Sequence, residues 1–212
     1  DGSTTQRTSP VLVPGTSNIS QVSAGGSHTT FLKSDGTLWG IGANSSGQLG
    51  DGSTTNRSSP IQVPGVSNVA QVSAGYRHTM FVKTDGTLWG MGYNRNGHLG
   101  YSSSWSITTP VQVPGISNVA QVYAGIDLTF FVKMDGSLWA LGNNDHGQFG
   151  NGTTISSTTP VQVGNIIAVE EQPFAPESLY DITKSERPSS EQSTHVVQSA
   201  ANLEMIWVEP GT

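Results

Sequence analysis

The residues of this chain that could do acid–base or metal chemistry are few and poorly spaced for it. The five histidines are His28, His78, His98, His146 and His195. None is part of a His-Glu-X-X-His pattern, and the chain has no cysteine, so no metal-ligand spacing is present. His28 and His78 lie 50 residues apart, and the position 50 further on holds Leu128. A position that accepts leucine in a repeated unit serves packing or turn hydrogen bonding rather than catalysis. Asp35, Asp85 and Asp135 each precede a glycine and read as hairpin turns. The Asp-Gly-Ser-Thr-Thr stretches at 1–5 and 51–55 lack a further acidic residue in step and read as polar turns, not calcium loops. Gly40-X-Gly42 and Gly90-X-Gly92 do not open helices, which excludes a dinucleotide or phosphate loop. The expectation is therefore a chain with no catalytic residue, no metal and no cofactor.

Behind these residues stands a repeat. Pro10, Pro60, Pro110 and Pro160 recur every 50 positions, as do Trp39, Trp89, Trp139 and Lys33, Lys83, Lys133. Three units (1–50, 51–100, 101–150) are followed by a partial one, 151–164. In the first unit we expect strands at Pro10–Pro14, Ile19–Ala24, His28–Lys33 and Thr37–Ile41. The proline-bounded strand suits a sheet edge, where an N–H need not be donated. Ser34-Asp35-Gly36 suits a tight hairpin. Four strands per 50 residues predict an all-β chain of four-stranded antiparallel propeller blades, with Trp39, Trp89 and Trp139 packing between blades.

Composition agrees. Charged residues make up 11% and glycines number 26, which suits short strands and many turns. The net charge of -6, with scattered cations, is wrong for phosphate neutralisation, so nucleic acid is not an expected partner. No apolar run is long enough to span a bilayer as a helix. The chain opens at Asp1 inside a repeat, and we expect a trimmed sequence from which a targeting segment could be missing.

Val22-Ser-Ala-Gly-X-X-His28, followed by Lys33-X-Asp-Gly-X-Leu-Trp-Gly-X-Gly-X-Asn-X-X-Gly-Gln-Leu-Gly50, resembles the repeats of the regulator of chromosome condensation family. The resemblance covers 1–164 and implies a seven-bladed propeller in a complete molecule. Fewer than four blades leave edges open, so self-association to complete a ring is expected. The Ser/Thr/Gly-rich, cysteine-free blades are more similar to bacterial secreted members, which implies an extracellular or cell-surface location. The family also implies two protein-binding alternatives, guanine-nucleotide exchange and β-lactamase inhibition.

Function should sit where the units differ. Large or charged side chains replace small ones in two loop zones. The first holds Tyr76, Arg77, Ile126 and Asp127. The second holds Tyr93, Arg95, His98, Tyr101 and Trp105, with Ile107, and then Asn143, Asp145 and His146. Aromatic residues and arginine dominate binding hot spots because they bury much area for few rotatable bonds. These residues predict a non-catalytic binding module for a protein or glycan. The competing reading is a spacer that holds a neighbouring module. From 165 to 202 the chain reads as a polar linker. Leu203-Glu-Met-Ile-Trp-Val-Glu-Pro-Gly-Thr212 then looks like the first strand of a formylglycine-generating-enzyme-type domain, a resemblance that carries no catalytic residue with it.

Overall fold

The computed structural model describes residues 2–102 and 105–164. The linker and the segment 203–212 lie outside the described residues. Among the described residues twelve strands form three separate sheets, each antiparallel and built from four strands consecutive in sequence. Blade one comprises β1 (Ile19–Ala24), β2 (His28–Lys33), β3 (Leu38–Gly42) and β4 (Arg57–Gln62). Blade two comprises β5 (Val69–Ala74), β6 (His78–Lys83), β7 (Leu88–Tyr93) and β8 (Ser106–Gln112). Blade three comprises β9 (Val119–Ala124), β10 (Leu128–Lys133), β11 (Leu138–Gly142) and β12 (Ser157–Gln162). The fold is thus all-β and a partial propeller.

The 50-residue units run across the sheets. Each proline-containing strand closes the blade begun in the preceding unit, so Arg57–Gln62 pairs with Leu38–Gly42. Pro10–Pro14, expected as a strand, is not one: among the described residues no counterpart of β3 lies beside it to supply the ladder. The edge placement holds, because Pro60, Pro110 and Pro160 all lie in outermost strands.

Two turn chemistries repeat. At the β2–β3 hairpin, Gly36 takes a positive φ of 78°. The Asp35 carboxylate accepts the N–H and hydroxyl of Thr37 at 2.9 and 2.6 Å, and these bonds hold its pKa below the ordinary carboxylate value. Trp39 Nε1 donates to Thr37 Oγ1 at 3.0 Å. Ahead of each innermost strand, Asn18, Asn68 and Asn118 adopt φ near 57°, 56° and 57°, the left-handed region that asparagine tolerates.

The core lies between blades rather than within them. Leu38, Val63, Val66, Val69, Val72, Phe81 and Met91 seal blade one to blade two. Met80, Leu88, Leu99, Val113, Val122, Phe131 and Leu141 seal blade two to blade three. The three tryptophans are half-buried, and Trp89 and Trp139 pack against the margins of the first and second seams, as expected of residues between blades. Each lies beside a strand-neighbour phenylalanine and under a lysine, with Lys33 Nζ 4.0 Å from the Trp39 ring centre.

Polar groups stitch the same seams. The Gln21 amide bridges to the neighbouring backbone, with Nε2 donating to Val72 O at 3.0 Å and Oε1 accepting from Val72 N at 3.0 Å. Ser23 Oγ accepts from Ala74 N at 2.9 Å, and Gly26 N donates to Gly75 O at 3.2 Å. Fifty residues later Gln71, Ser73 and Tyr76 N repeat the set on Val122, Ala124 and Gly125.

Such close approach requires glycine. A Cβ on Gly75 would stand 2.5 Å from Gly125 O and 2.4 Å from His78 Cε1, whereas on Gly125 nothing would lie nearer than 3.2 Å. Gly75→Ala should therefore cost about 2 kcal/mol or more of unfolding free energy, and Gly125→Ala less than about 1 kcal/mol. Urea denaturation of the two variants checks this, and equal losses would contradict the seam geometry.

Candidate functional site

Strand direction decides which loops share a face. In every blade the first strand ends, the second begins, the third ends and the fourth begins at one end of the sheet. Loops 25–27, 75–77 and 125–127 therefore gather with loops 43–56, 94–105 and 143–156. Backbone bonds tie them, including Tyr93 N to Arg77 O at 2.9 Å and Asn143 N to Asp127 O at 2.8 Å. The two variable zones thus form one face. The repeated Asp-Gly hairpins and the links between blades occupy the opposite end.

A buried asparagine shapes each long loop, and sequence reasoning missed its role. Asn44 Oδ1 accepts from Leu49 N at 2.9 Å, while its Nδ2 donates to Asp51 Oδ1 at 2.9 Å and Ser53 O at 3.0 Å. Asn94 and Asn144 repeat this, accepting from Leu99 N and Phe149 N at 2.9 and 2.8 Å. The signal was a polar residue at an invariant repeat position, which a solvent-exposed loop does not require. In the first loop Asp51 also receives Arg57 Nε at 2.8 Å. Burial opposes ionisation of Asp51, but Arg57, Ser53 and Asn44 outweigh it and hold the pKa at about 2.

The predicted binding residues divide. Tyr76, Arg77, Arg95, Trp105, Ile126, Asp145 and His146 are exposed on the variable face, and Asp127 is half-exposed there. Trp105 is 68% and Ile126 67% exposed. The Arg95 guanidinium lies 4.8 Å over the Trp105 ring, and that of Arg77 5.5 Å over Tyr76. Asp145 accepts from Asn143 Nδ2 and Ser156 Oγ at 2.8 and 2.9 Å, and these bonds, the Ser156 one foremost, lower its pKa.

Four of the expected loop residues point inward instead. His98 is fully buried. Its ring sits 4.3 Å from that of His78 and 5.9 Å from that of Tyr93. Tyr93 and Tyr101 are half-buried. Tyr101 packs on the second seam and its hydroxyl donates to Gln112 O. Ile107 belongs to β8 and packs on the same seam. The sequence counted all four as loop decoration because the descent of the 94–105 loop into the wedge between blades is a tertiary fact.

The histidines have a structural task. Thr79 Oγ1 donates its single proton to Gln48 O at 2.8 Å, so His28 Nε2, 2.9 Å away, must be the donor to that hydroxyl. Thr129 bonds to His98 O at 2.9 Å and faces His78 Nε2 at 3.4 Å in the same way. The Nδ1 atoms of His28 and His78 and both ring nitrogens of His98 are buried without a partner. Burial pushes the pKa values of His28 and His98 down to about 4, for His98 against the opposing pull of Asp127. Burial, with neighbouring His98 and His28, pushes His78 well down too. Among the described residues no group of three His, Cys, Asp or Glu could hold a metal ion.

The chain matches the family described as "Regulator of chromosome condensation (RCC1) repeat" over residues 35–82, 85–132 and 135–171. A second repeat description under the same name matches 19–48 and 69–97. Among solved structures, human WBSCR16 is 25% identical at a TM-score of 0.62, covering 68% of this chain and 37% of that one. Yeast RCC1 (Prp20), solved with Kap60, is 23% identical at 0.62, covering 73% and 39%. Prp20p from Saccharomyces cerevisiae, described with its binding to Gsp1p and histones, is 22% identical at 0.61, covering 73% and 41%. The chain thus spans about two fifths of the length of these structures. No curated protein matches it.

The buried imidazoles set a pH dependence. Unfolded histidines take up protons below about 6.5, whereas folded His28 and His98 resist until about 4. Stability should be full above pH 6.5 and fall between 6.5 and 4, by up to about 3 kcal/mol per histidine. His98→Gln, which installs the residue found at Gln48 and Gln148, should flatten that slope. Urea unfolding across this pH range reads it, and an unchanged slope in the variant would remove His98 from the account.

Proposed function

Because the chain belongs to the regulator of chromosome condensation (RCC1) repeat family, we propose that it is a non-catalytic module that binds a protein through the variable face of its blades. One observation carries this reading. Most of the bulky and charged departures from the repeat that remain exposed, Tyr76, Arg77, Arg95, Trp105 and Ile126 among them, sit at the same end of the sheets, Met134 in the third Asp-Gly hairpin being an exception at the other end. The opposite end keeps its Asp-Gly turns and lysine-capped tryptophans unchanged. Drift in solvent would scatter such residues evenly over both ends. Exposing Trp105 and Ile126 together costs solvation free energy unless a partner covers them.

Guanine-nucleotide exchange and β-lactamase inhibition would each be a special case of this reading, since loops rather than fold choose the partner. A glycan is the neighbouring possibility for the same surface, and a place outside a bacterial cell fits the low charge and the Ser/Thr/Gly-rich blades. The spacer reading is supported by the near-identity of the units but gives the exposed aromatics no task.

Tyr76→Ala, Trp105→Ala and Ile126→Ala combined should leave the unfolding midpoint within a few degrees of wild type, because none of the three belongs to a buried seam cluster. The same variant should lose the proteins that the immobilised wild-type chain retains, about a hundredfold in affinity for three hot-spot truncations. Retention undiminished in the variant would refute the face.

A further inference from the structure

The charges of this face identify its partner further. Lys33, Lys83 and Lys133 lie over tryptophan rings at the far end of the sheets, and Arg57 is spent on Asp51. Arg77 and Arg95 form no ion pair among the described residues. Both are exposed, both belong to blade two, and the bond from Tyr93 N to Arg77 O joins their loops. In a chain of net charge -6, these guanidinium groups stand where the exposed aromatics stand.

Each guanidinium is also held in place. An arginine stacked on an aromatic ring keeps its N–H edge free while its flat face is covered, which orients the edge for a carboxylate and reduces the freedom lost on binding. Arg95 over Trp105 and Arg77 over Tyr76 repeat this arrangement in one blade. Beside them the Ala-Gly ends of the three innermost strands, with Tyr76 and Ile126, line a shallow recess of about 270 Å³. Tyr76 belongs to both features. The recess suits one aliphatic or aromatic side chain, a group that acidic sugars do not carry. Asp127 and Asp145 make the blade-three side of the face negative, so a negatively charged occupant is confined to blade two and the recess.

We propose that blade two captures an acidic protein segment, with two carboxylates on Arg77 and Arg95 and an adjacent apolar side chain in the recess between Tyr76 and Ile126. This rests on the binding-face reading above and specifies its partner.

The test uses the full chain as bait for a phage-displayed library of random 12-residue peptides. Enriched peptides should carry at least two Asp or Glu residues next to a Leu, Ile, Phe or Trp. Synthetic copies with Asn and Gln in place of the acids should bind at least about tenfold more weakly, as should the originals on Arg77→Ala/Arg95→Ala. Raising salt from 50 to 300 mM should weaken binding in wild type and much less in the double variant. Several results would overturn the inference while leaving the binding face intact. One is enriched peptides without acidic bias that are nonetheless lost in Tyr76→Ala/Trp105→Ala. Another is preferential retention of oligogalacturonate, which would assign the arginines to a glycan. A third is self-association of the chain that Arg77→Ala/Arg95→Ala abolishes, which would make a second copy the occupant. Peptides unaffected by either double variant would defeat both the inference and the face.

Discussion

The whole structure depends on one constraint: a four-stranded sheet of this size cannot bury both of its faces by itself. Each blade hides its apolar face against the next, and no blade has an interior of its own. That is why Val72 and Val122 are 1% and 0% exposed while the equivalent Val22, against which no blade packs among the described residues, is 61% exposed. The seams are also where backbone groups at the innermost edge of a sheet would otherwise go unpaired. Gln21 and Gln71 answer this by acting as a short length of strand, offering an amide N–H and C=O to the edge of the next blade. A repeat that must serve both sides of the same seam cannot drift freely, and this ties the 50-residue period to the packing.

The loop face follows from that rigidity. With strands pinned through seams, the connections at one end become the part of the chain free to vary, provided something keeps each in shape. Asn44, Asn94 and Asn144 do this from inside, by accepting the N–H five residues on and donating across the loop. Side chains above them then change without unravelling the loop. Arg95 and Trp105 replace small residues while Asn94 stays buried beneath them.

How much of this could be read from the sequence depended on whether the information was periodic. The class, the strands Ile19–Ala24 and His28–Lys33, the Asp-Gly hairpins and the edge position of the prolines were legible because each recurs with the same local chemistry. Blade boundaries were not. Periodicity gives the length of a repeat but not its phase, and the sheet begins at Ile19 rather than at Pro10. In the site, Tyr76, Arg77, Arg95, Trp105 and Ile126 were legible as outward departures from a small-residue pattern. His98, Tyr93, Tyr101 and Ile107 show the same departure for the opposite reason. They fill a wedge between blades whose depth is set by residues distant in sequence, and substitution alone does not distinguish filling from facing out.

The same seam chemistry bears on whether copies of this chain could complete one another head to tail. Blade one keeps the receiving set: the Val22 backbone, Ala24 N–H, and Thr29 where Thr79 and Thr129 accept a histidine. Blade three has altered the giving set. Tyr123 replaces Ser23 and Ser73, Leu128 replaces His28 and His78, and the Tyr123 hydroxyl already donates to Gln121 Oε1 at 2.9 Å. A second copy placed there would leave Ala24 N–H without a partner and the Thr29 hydroxyl without its histidine donor, and an unsatisfied N–H buried in a seam costs about 1–3 kcal/mol. The open side of blade one is therefore matched to a blade that still carries the serine and the histidine. The open side of blade three, with Tyr123, Ile126 and Leu128 exposed or half-exposed, is not matched to blade one.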